Sequence, residues 1–233
     1  MNVVITGVTK GIGRAIAEKF AAAANTIIGC ARSEMDLYKT MDDLLTKYPE
    51  CSVKVRPVDM SDAKQVKQFG SWILETGLVA DIVINNAGEF MPGSIYDEEE
   101  GTLEKMIEVN LYSAYHLTRT LLPVMMEKRQ GHIFNICSIA SLKAYANGGS
   151  YSISKFAMLG FSKNLREEMK PYGIKVTAVC PGATMTASWK DSGIDAKGIM
   201  EVNDIAEMVY ASSKLSLMAV VEDIIMRPQL GDL

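Results

Sequence analysis

Residues 2–24 have the sequence NVVITGVTKGIGRAIAEKFAAAA, and this stretch decides the predicted fold. Its first four residues, Asn2–Ile5, are mostly apolar and β-branched, which predicts a buried strand. From residue 11 to residue 24, apolar side chains recur at helical spacing along one side, which predicts an amphipathic helix. The segment between Thr6 and Gly13 contains three glycines. The stretch therefore predicts a strand, a tight turn and a helix, which is the first unit of a parallel α/β sheet.

The alternation of strand and helix continues to the end of the chain. Further strands are predicted at residues 26–30, 52–57, 81–85, 132–137, 174–179 and 220–227. Helices are predicted at residues 33–48, 62–75, 97–110, 111–128, 150–170 and 203–213. Apolar strands that alternate with helices form a parallel sheet, with right-handed crossovers and helices on both faces.

No Pro/Gly/Ser-rich linker and no internal repeat divides the sequence. We therefore predict the α/β class, as a single-domain doubly wound parallel sheet (Rossmann-like) that spans residues 1–233. Within this domain, residues 187–202 are predicted to form a short substrate-binding loop. A length of 233 residues is one that a single sheet of this kind can accommodate.

The composition excludes several classes of protein. Hydrophobic residues make up 48% of the chain and charged residues 22%, which predicts a sizeable core and no extended disorder. The net charge of −4 argues against a nucleic-acid partner or an anionic membrane surface. The first predicted strand begins directly after Met1, which leaves no room for a secretory signal, and no apolar run approaches the roughly 20 residues that span a bilayer. We therefore expect a cytoplasmic protein.

The cysteines and histidines do not indicate a metal site. The four cysteines have no CxxC spacing, and each lies in or beside a predicted strand, so we expect buried thiols in a reducing compartment. The only two histidines are far apart in the sequence, so no metal is predicted. These residues are Cys30, Cys51, Cys137, Cys180, His116 and His132.

The glycine-rich turn predicts a phosphate-binding loop. Gly7, Gly11 and Gly13 follow the spacing GxxxGxG, which differs slightly from GxGxxG. A turn without Cβ atoms lets backbone amides and a helix N-terminus approach a pyrophosphate. We expect Thr9, Lys10 and Ile12 to lie in the same binding loop.

The end of the second strand favours NADP(H) over NAD(H). A site that prefers NAD usually has a carboxylate there, about 20 residues beyond the glycines, and this sequence has Ala31 followed by Arg32. A guanidinium suits a 2′-phosphate, and Lys10 is a second cation that could face it. Asp59 could bind the adenine amino group, or it could belong to the cap region of the next helix.

A tyrosine and a lysine one helical turn apart predict acid–base chemistry. Tyr151 and Lys155 lie at the start of the long predicted helix, and their i, i+4 spacing places them on one face. Lowering a phenol pKa from 10 to about 7 requires roughly 4 kcal/mol, and one ammonium about 4 Å away supplies about that much. Ser138 lies at the carboxyl end of the fifth strand, where ligands bind in sheets of this class.

Several motifs in order resemble the short-chain dehydrogenase/reductase family over about residues 1–186. They are TGVTKGIG at 6–13, Asp59, NNAG at 85–88, Asn110, Ser138, YSISK at 151–155 and PGATMT at 181–186. This resemblance implies that Tyr151 is the general acid in reduction and the base in oxidation. It also implies that Lys155 lowers the Tyr151 pKa and binds the nicotinamide ribose, and that Ser138 orients the carbonyl.

The resemblance assigns further roles around the cofactor. It implies that Asn110 holds a water that links Lys155 to solvent. The turn Asn86, Ala87 and Gly88 approaches the cofactor, and Pro181, Gly182 and Thr186 border the nicotinamide. Family members commonly form homodimers or homotetramers through two long helices, and we expect such pairing here through outer positions of the predicted helices 111–128 and 150–170. The apolar positions that could face outward are Leu117, Leu121, Phe161 and Leu165, and the alternative is that they simply pack on the sheet.

The sequence leaves the reaction direction and the substrate open. One hypothesis is an NADPH-dependent reductase of a small or medium carbonyl (a ketone, an oxoacyl group or a pterin-like side chain). The alternatives are an NAD(P)-dependent alcohol or hydroxy-acid dehydrogenase and a non-catalytic NADP-binding regulator. A fairly apolar substrate pocket is expected, and its candidate lining residues are Phe90, Ala140, Leu142, Tyr145, Met185 and Trp189.

Overall fold

The computed structural model describes residues 1–186 and 198–231, in which parallel strands and helices alternate. The strands are β1 (Asn2–Thr6), β2 (Thr26–Ala31), β3 (Ser52–Pro57), β4 (Ile82–Asn85), β5 (Gly131–Ile136), β6 (Ile174–Pro181) and β7 (Asp223–Met226). The helices are α1 (Gly11–Ala21), α2 (Glu34–Lys47), α3 (Ala63–Glu75), α4 (Thr102–Ile107), α5 (Ser113–Lys128), α6 (Gly149–Met169) and α7 (Val202–Ser213).

Within the described residues, the seven strands form one parallel sheet in the order β3-β2-β1-β4-β5-β6-β7. The strand order reverses between β1 and β4, which are hydrogen-bonded neighbours although β2 and β3 separate them in the chain. Such a reversal opens a crevice at the carboxyl ends of the strands, where ligands bind in doubly wound sheets. The predicted α/β fold is confirmed.

Two apolar layers hold the helices against the two faces of the sheet. One layer joins α1, α2 and α7 to the sheet around Phe20, and the other joins α3, α5 and α6 around Phe69. Both phenylalanine rings are fully buried. The prediction that the four cysteines are buried is confirmed, and all four are free thiols.

Three of the four apolar positions that could face outward on the long helices pack on the sheet instead. Leu117, Leu121 and Leu165 are buried in the layer around Phe69, because α5 and α6 turn these side chains toward the sheet. Phe161 is only partly buried, and its ring packs edge-on against another helical aromatic side chain. A helix that covers a sheet needs a wide apolar face, and that need accounts for the leucines.

Several helix boundaries differ from prediction, and the start of α4 differs most. The helix predicted to begin at Asp97 begins at Thr102, because Gly101 has the left-handed φ of +87° that interrupts helical backbone. A π-helical turn, Glu108–Tyr112, then joins α4 to α5. Inserted turns of this kind occur frequently at functional sites.

A buried arginine fixes the last strand. The Arg166 guanidinium of α6 donates to the Val176 carbonyl at 3.0 Å, to the Glu222 carbonyl and to an Asp223 carboxylate oxygen at 2.9 Å. These contacts hold β7 at the edge of the sheet, where it pairs with β6. Within the residues that the structure describes, no helix is both long enough and apolar enough to span a membrane.

Candidate active site

A cavity of about 1030 Å³ lies along the carboxyl ends of the strands. Most of the site residues predicted from the sequence line it. They are Gly7, Thr9, Lys10, Gly11, Ile12, Arg32, Asp59, Asn86, Ala87, Gly88, Ser138, Tyr151, Lys155, Pro181, Gly182 and Thr186. Two predicted residues do not line the cavity, because Gly13 lies beneath the glycine loop and Asn110 lies behind Gly88.

The glycines of the loop are required by backbone geometry. Gly7 and Gly11 have left-handed φ angles of +69° and +53°. A Cβ atom on Gly13 would overlap the Gly7 carbonyl oxygen and the Asn86 side-chain amide. The Asn86 Nδ2 group donates to the Thr6 carbonyl at 2.8 Å and to the Gly7 carbonyl at 3.2 Å. The spacing GxxxGxG therefore brings the turn after β4 into direct contact with the turn after β1.

Thr6 has a structural role that the sequence reasoning missed. Its Oγ1 atom accepts hydrogen bonds from the backbone N–H groups of Asn86 at 3.0 Å and Ala87 at 2.9 Å. This pairing holds together the two turns on either side of the strand-order reversal. Thr6 belongs to the glycine-rich motif, but only the pairing of β1 with β4 indicates what its hydroxyl contacts.

The cations predicted to select the cofactor lie at one end of the cavity. An Arg32 Nη1 atom is 2.7 Å from an oxygen of Glu89, a residue that was not predicted to take part. The other Glu89 carboxylate oxygen is 3.3 Å from the Lys105 ammonium. Lys10 lies 3.8 Å from an Asp36 carboxylate oxygen and is largely exposed. Arg32 therefore already has an anionic partner across the cavity.

Asp59 both lines the cavity and contacts the next helix. One of its carboxylate oxygens accepts hydrogen bonds from the Ser61 N–H at 2.9 Å and the Ser61 hydroxyl at 2.8 Å. The cap of α3 itself is Asp62, whose side chain accepts from two backbone N–H groups of the first turn. Asp59 is therefore not the cap of α3, and its contact with adenine stays a prediction.

Ser138, Tyr151 and Lys155 are brought together at the other end of the cavity. The Ser138 hydroxyl lies close enough to the Tyr151 phenol to act on its pKa, and it accepts the Ala140 N–H at 3.1 Å. The Lys155 ammonium lies 5.8 Å from the centre of the Tyr151 ring and donates to the Ile136 carbonyl at 2.9 Å. The serine follows β5 and the other two residues lie on the first turns of α6. The Ser152 hydroxyl joins these elements by donating to the Ala140 carbonyl at 3.0 Å.

The pKa of Tyr151 differs from the value expected from the sequence. Burial raises the pKa of Tyr151 above 10, and the nearby Ser138 hydroxyl acts in the opposite direction. Burial lowers the pKa of Lys155, because the ammonium loses its water. The expected lowering of the phenol pKa toward 7 by the lysine is therefore absent from this geometry. The Tyr151 phenol is neutral at neutral pH.

Asn110 is fixed by protein groups on both sides of its amide. Its Oδ1 accepts from the Glu89 N–H at 2.8 Å, and its Nδ2 donates to the Glu89 carbonyl at 3.0 Å and to the Ser154 hydroxyl at 2.9 Å. A Cβ atom on Gly88 would lie 3.0 Å from Asn110 Oδ1 and 3.5 Å from Lys155 Nζ. The π-helical turn thus places Asn110 next to the lysine and secures the chain that follows the NNAG motif.

Aromatic side chains surround the tyrosine. The Phe90 ring meets the Tyr151 ring edge-on, with 4.8 Å between ring centres. Phe90, Tyr145 and Ala140 line the cavity as expected. Two other candidates do not line it: Leu142 packs against a smaller apolar cluster of α5, α6 and β6, and Met185 lines a separate cavity of about 440 Å³.

Part of the predicted substrate loop, residues 187–202, cannot be compared with the structure. Residues 187–197, including Trp189, lie outside the described residues. From residue 198 the chain is described again, and the Met200 N–H donates to the Ala183 carbonyl at 3.0 Å. The return of the loop is therefore attached beside the predicted nicotinamide border.

Comparison with known proteins indicates which family this chain belongs to. Residues 1–197 match the family model described as short chain dehydrogenase. The chain is 32% identical to a sepiapterin reductase from Chlorobaculum tepidum, with 98% of this chain and 96% of that protein covered.

Solved structures with the same fold include proteins crystallised with NADP-type cofactors. An alcohol dehydrogenase from the archaeon Thermococcus sibiricus, complexed with 5-hydroxy-NADP, superimposes with a TM-score of 0.91 at 26% identity, covering 100% of this chain and 98% of that one. An L-sorbose reductase from Gluconobacter frateurii, complexed with NADPH and L-sorbose, gives 0.86 at 27% identity, covering 96% and 94%. The chain therefore belongs to the short-chain dehydrogenase family, and it is an oxidoreductase.

Proposed function

We propose that this chain is a reductase that uses NADPH in preference to NADH and converts a small or medium carbonyl compound to an alcohol. A ketone, an oxoacyl group or a pterin-like side chain is the proposed substrate class. The observation that carries the proposal is that one continuous cavity joins the glycine loop and Arg32 to the group of Ser138, Tyr151 and Lys155.

The residues present fit a dinucleotide. The left-handed Gly7 and Gly11 shape the turn that lines the cavity beside the start of α1, where backbone N–H groups would hold a pyrophosphate. Arg32 and Lys10 would hold the 2′-phosphate, while Asn86, Ala87 and Gly88 line the path toward the tyrosine. When bound, the cofactor supplies the hydride.

Tyr151 is proposed as the proton donor. Its raised pKa keeps the phenol protonated at neutral pH, which is the state that reduction requires. Ser138, which contacts the phenol, would hold the substrate oxygen at the same point. Lys155 lies beside the ring, where its ammonium would stabilise the phenolate that remains after proton transfer.

The side chains that line the cavity around Tyr151 favour a substrate with an apolar or aromatic group next to its carbonyl. Phe90 and Tyr145 present rings near Tyr151, and Ala140 leaves room beside Ser138. The similarity to a sepiapterin reductase supports including pterin-like side chains among the substrates to test.

A tyrosine-to-phenylalanine substitution tests the proposed function. We expect Tyr151→Phe to lower kcat at least about 100-fold, the scale of general acid catalysis, while NADPH affinity stays within about twofold. Turnover is measured as NADPH consumption with a panel of ketones, aldehydes and oxoacyl thioesters. Retained turnover in Tyr151→Phe contradicts the proposal. Unchanged biological activity without turnover in the variant favours a non-catalytic regulator.

We also propose that the chain forms a homo-oligomer through α5 and α6. Tyr115 and Phe156 are exposed on these helices, and so are Tyr112 (at the end of the π-helical turn) and Ile153. Tyr115 also packs against Phe161, so the two helices contribute to one aromatic surface. Clustered exposed aromatic side chains are typical of protein–protein contact surfaces.

A further inference from the structure

The chain between β4 and α4 lies against the loop that precedes α6. The Gly93 N–H donates to the Asn147 carbonyl at 3.1 Å, and the Ser94 hydroxyl donates to the Asn147 side-chain oxygen at 2.8 Å. Phe90, from the same segment, places its ring on Tyr151. This segment therefore contacts both the entry to α6 and the phenol on its first turn.

Glu98 makes the most direct of these contacts. One of its carboxylate oxygens accepts the Ser150 N–H at 2.8 Å, and the other accepts the Ser150 hydroxyl. Ser150 is buried and directly precedes Tyr151. The α6 helix has no side-chain cap from Gly148 and no acidic residue in its first turn. A carboxylate 52 residues away in the chain therefore accepts one of the backbone N–H donors that this helix start presents, together with the Ser150 hydroxyl.

Two glycines leave space for the Glu98 carboxylate. A Cβ atom on Gly149 would overlap the carboxylate itself, and one on Gly93 would lie 2.7 Å from Glu98 Cγ. Gly149 also has a positive φ of +35°. The two segments can therefore approach closely because the residues packed on both sides of the Glu98 side chain, Gly93 and Gly149, are glycines.

We propose that Glu98 is a positioning residue for the reduction. It does not line the cavity. Instead it fixes the first turn of α6, and so the phenol of Tyr151, relative to Ser138 at the end of β5. This inference rests on the function proposed above for Tyr151. Without Glu98, the two Ser150 donors lose their acceptor and the turn that carries the phenol is free to shift.

Three variants test this role. We expect Glu98→Ala to lower kcat about tenfold, within the up to about 100-fold loss that a small misplacement can cause, with KM for NADPH within about twofold. Glu98→Gln should recover most of kcat, because its amide oxygen accepts the Ser150 N–H and its amide N–H donates to the Ser150 hydroxyl. Glu99→Ala, a change at the exposed neighbouring residue, is the matched control and should match the unmodified chain.

Each measurement is made below the unfolding temperature of every variant, so that a loss of folded protein does not count as a loss of kcat. If Glu98→Ala does not fold, Ser150→Ala replaces it. Ser150→Ala keeps the backbone N–H that Glu98 accepts and removes only the hydroxyl, so a smaller fall in kcat is expected. An unchanged kcat in the variant used, or a Glu98→Gln variant as slow as Glu98→Ala, overturns the role of Glu98.

Tyr151→Phe is assayed in parallel to separate the two proposals. If Tyr151→Phe abolishes turnover and the Glu98 variants do not change kcat, only the positioning role is overturned. If Tyr151→Phe retains turnover, the proposed function is overturned, and the role of Glu98 with it.

Discussion

At the residue scale, the ion pair between Arg32 and Glu89 predicts how the cofactor is selected. If Arg32 makes one charge-assisted contact with a 2′-phosphate, worth about 1.5–3 kcal/mol, Arg32→Ala should weaken NADPH binding about 10- to 150-fold and NADH binding little. Glu89 contacts one Nη atom of the same guanidinium at 2.7 Å, so its carboxylate would compete with the phosphate for Arg32. The dissociation constants of both cofactors, measured by fluorescence titration, check this prediction.

Glu89→Gln is the companion variant and should act in the opposite direction. Exposed ion pairs contribute less than about 1 kcal/mol, so releasing the two-thirds exposed Arg32 should tighten NADPH binding by no more than about fivefold. NADH binding should stay the same. Equal losses of both cofactors in Arg32→Ala, or weaker NADPH binding in Glu89→Gln, would contradict the assignment.

The residues that the sequence could and could not predict differ in a physical way. Ser138 and Tyr151 were predictable as neighbours, because strand ends in a parallel sheet meet at one edge and the helix start follows directly. Glu89 and Glu98 were not predictable, because their partners lie 57 and 52 residues away and depend on how loops pack. The raised Tyr151 pKa was also not predictable, because it follows from burial and burial depends on how the chain packs.

At the element scale, a buried histidine connects three strands of the sheet. The Thr177 hydroxyl of β6 donates to the Val221 carbonyl just before β7 at 2.6 Å, so it must accept from His132 Nε2 of β5 at 2.7 Å. His132 Nε2 therefore carries a proton. Its Nδ1 atom is buried and has no hydrogen-bond partner among the described residues.

This histidine predicts a loss of stability in acid. Burial and the Lys175 charge lower the pKa of His132 from 6.5 to about 3, so between these values the unfolded chain binds a proton that the folded chain does not. The free energy of unfolding should therefore fall as pH decreases through 6.5, by about 2 kcal/mol at pH 5 from this residue. Urea unfolding of His132→Gln at pH 7.5 and pH 5 should show a correspondingly smaller fall.

His116→Gln is the control for the acid effect. His116 is the other histidine, it is only partly buried, and its ring contacts exposed tyrosines of the helical surface. Its removal should leave most of the pH dependence in place. If His132→Gln loses as much stability in acid as the unmodified chain, the buried histidine is not the cause.

Element types were more predictable than element limits. The strand at Ser52–Pro57 has the predicted bounds, and the predicted order of strands and helices holds over residues 1–186 and 198–231. The last strand is shorter than predicted, at Asp223–Met226, because its edge pairing with β6 limits its length more than its apolar pattern does. The π-helical turn at Glu108–Tyr112 left no recognised pattern in the sequence.

At the scale of the whole molecule, the aromatic surface of α5 and α6 predicts assembly. Phe156→Glu places a charge on this surface, where burying it in a contact between copies would cost several kcal/mol. We expect this variant to shift the chain from oligomer to monomer in sedimentation velocity, with unfolding temperature measured alongside. Leu217→Glu, at a residue that is 72% exposed elsewhere, should not change the assembly. An unmodified chain that sediments as a monomer contradicts the proposed pairing.

The strand order also determines when the site can exist during synthesis. A nascent chain that has emerged as far as β4 already contains the strands of the sheet portion β3-β2-β1-β4, the glycine loop and Arg32. The segments that carry Ser138, Tyr151 and Pro181 leave the ribosome later and add the opposite wall. During synthesis, the residues proposed to bind phosphate are therefore complete before the residues proposed to transfer a proton have been added.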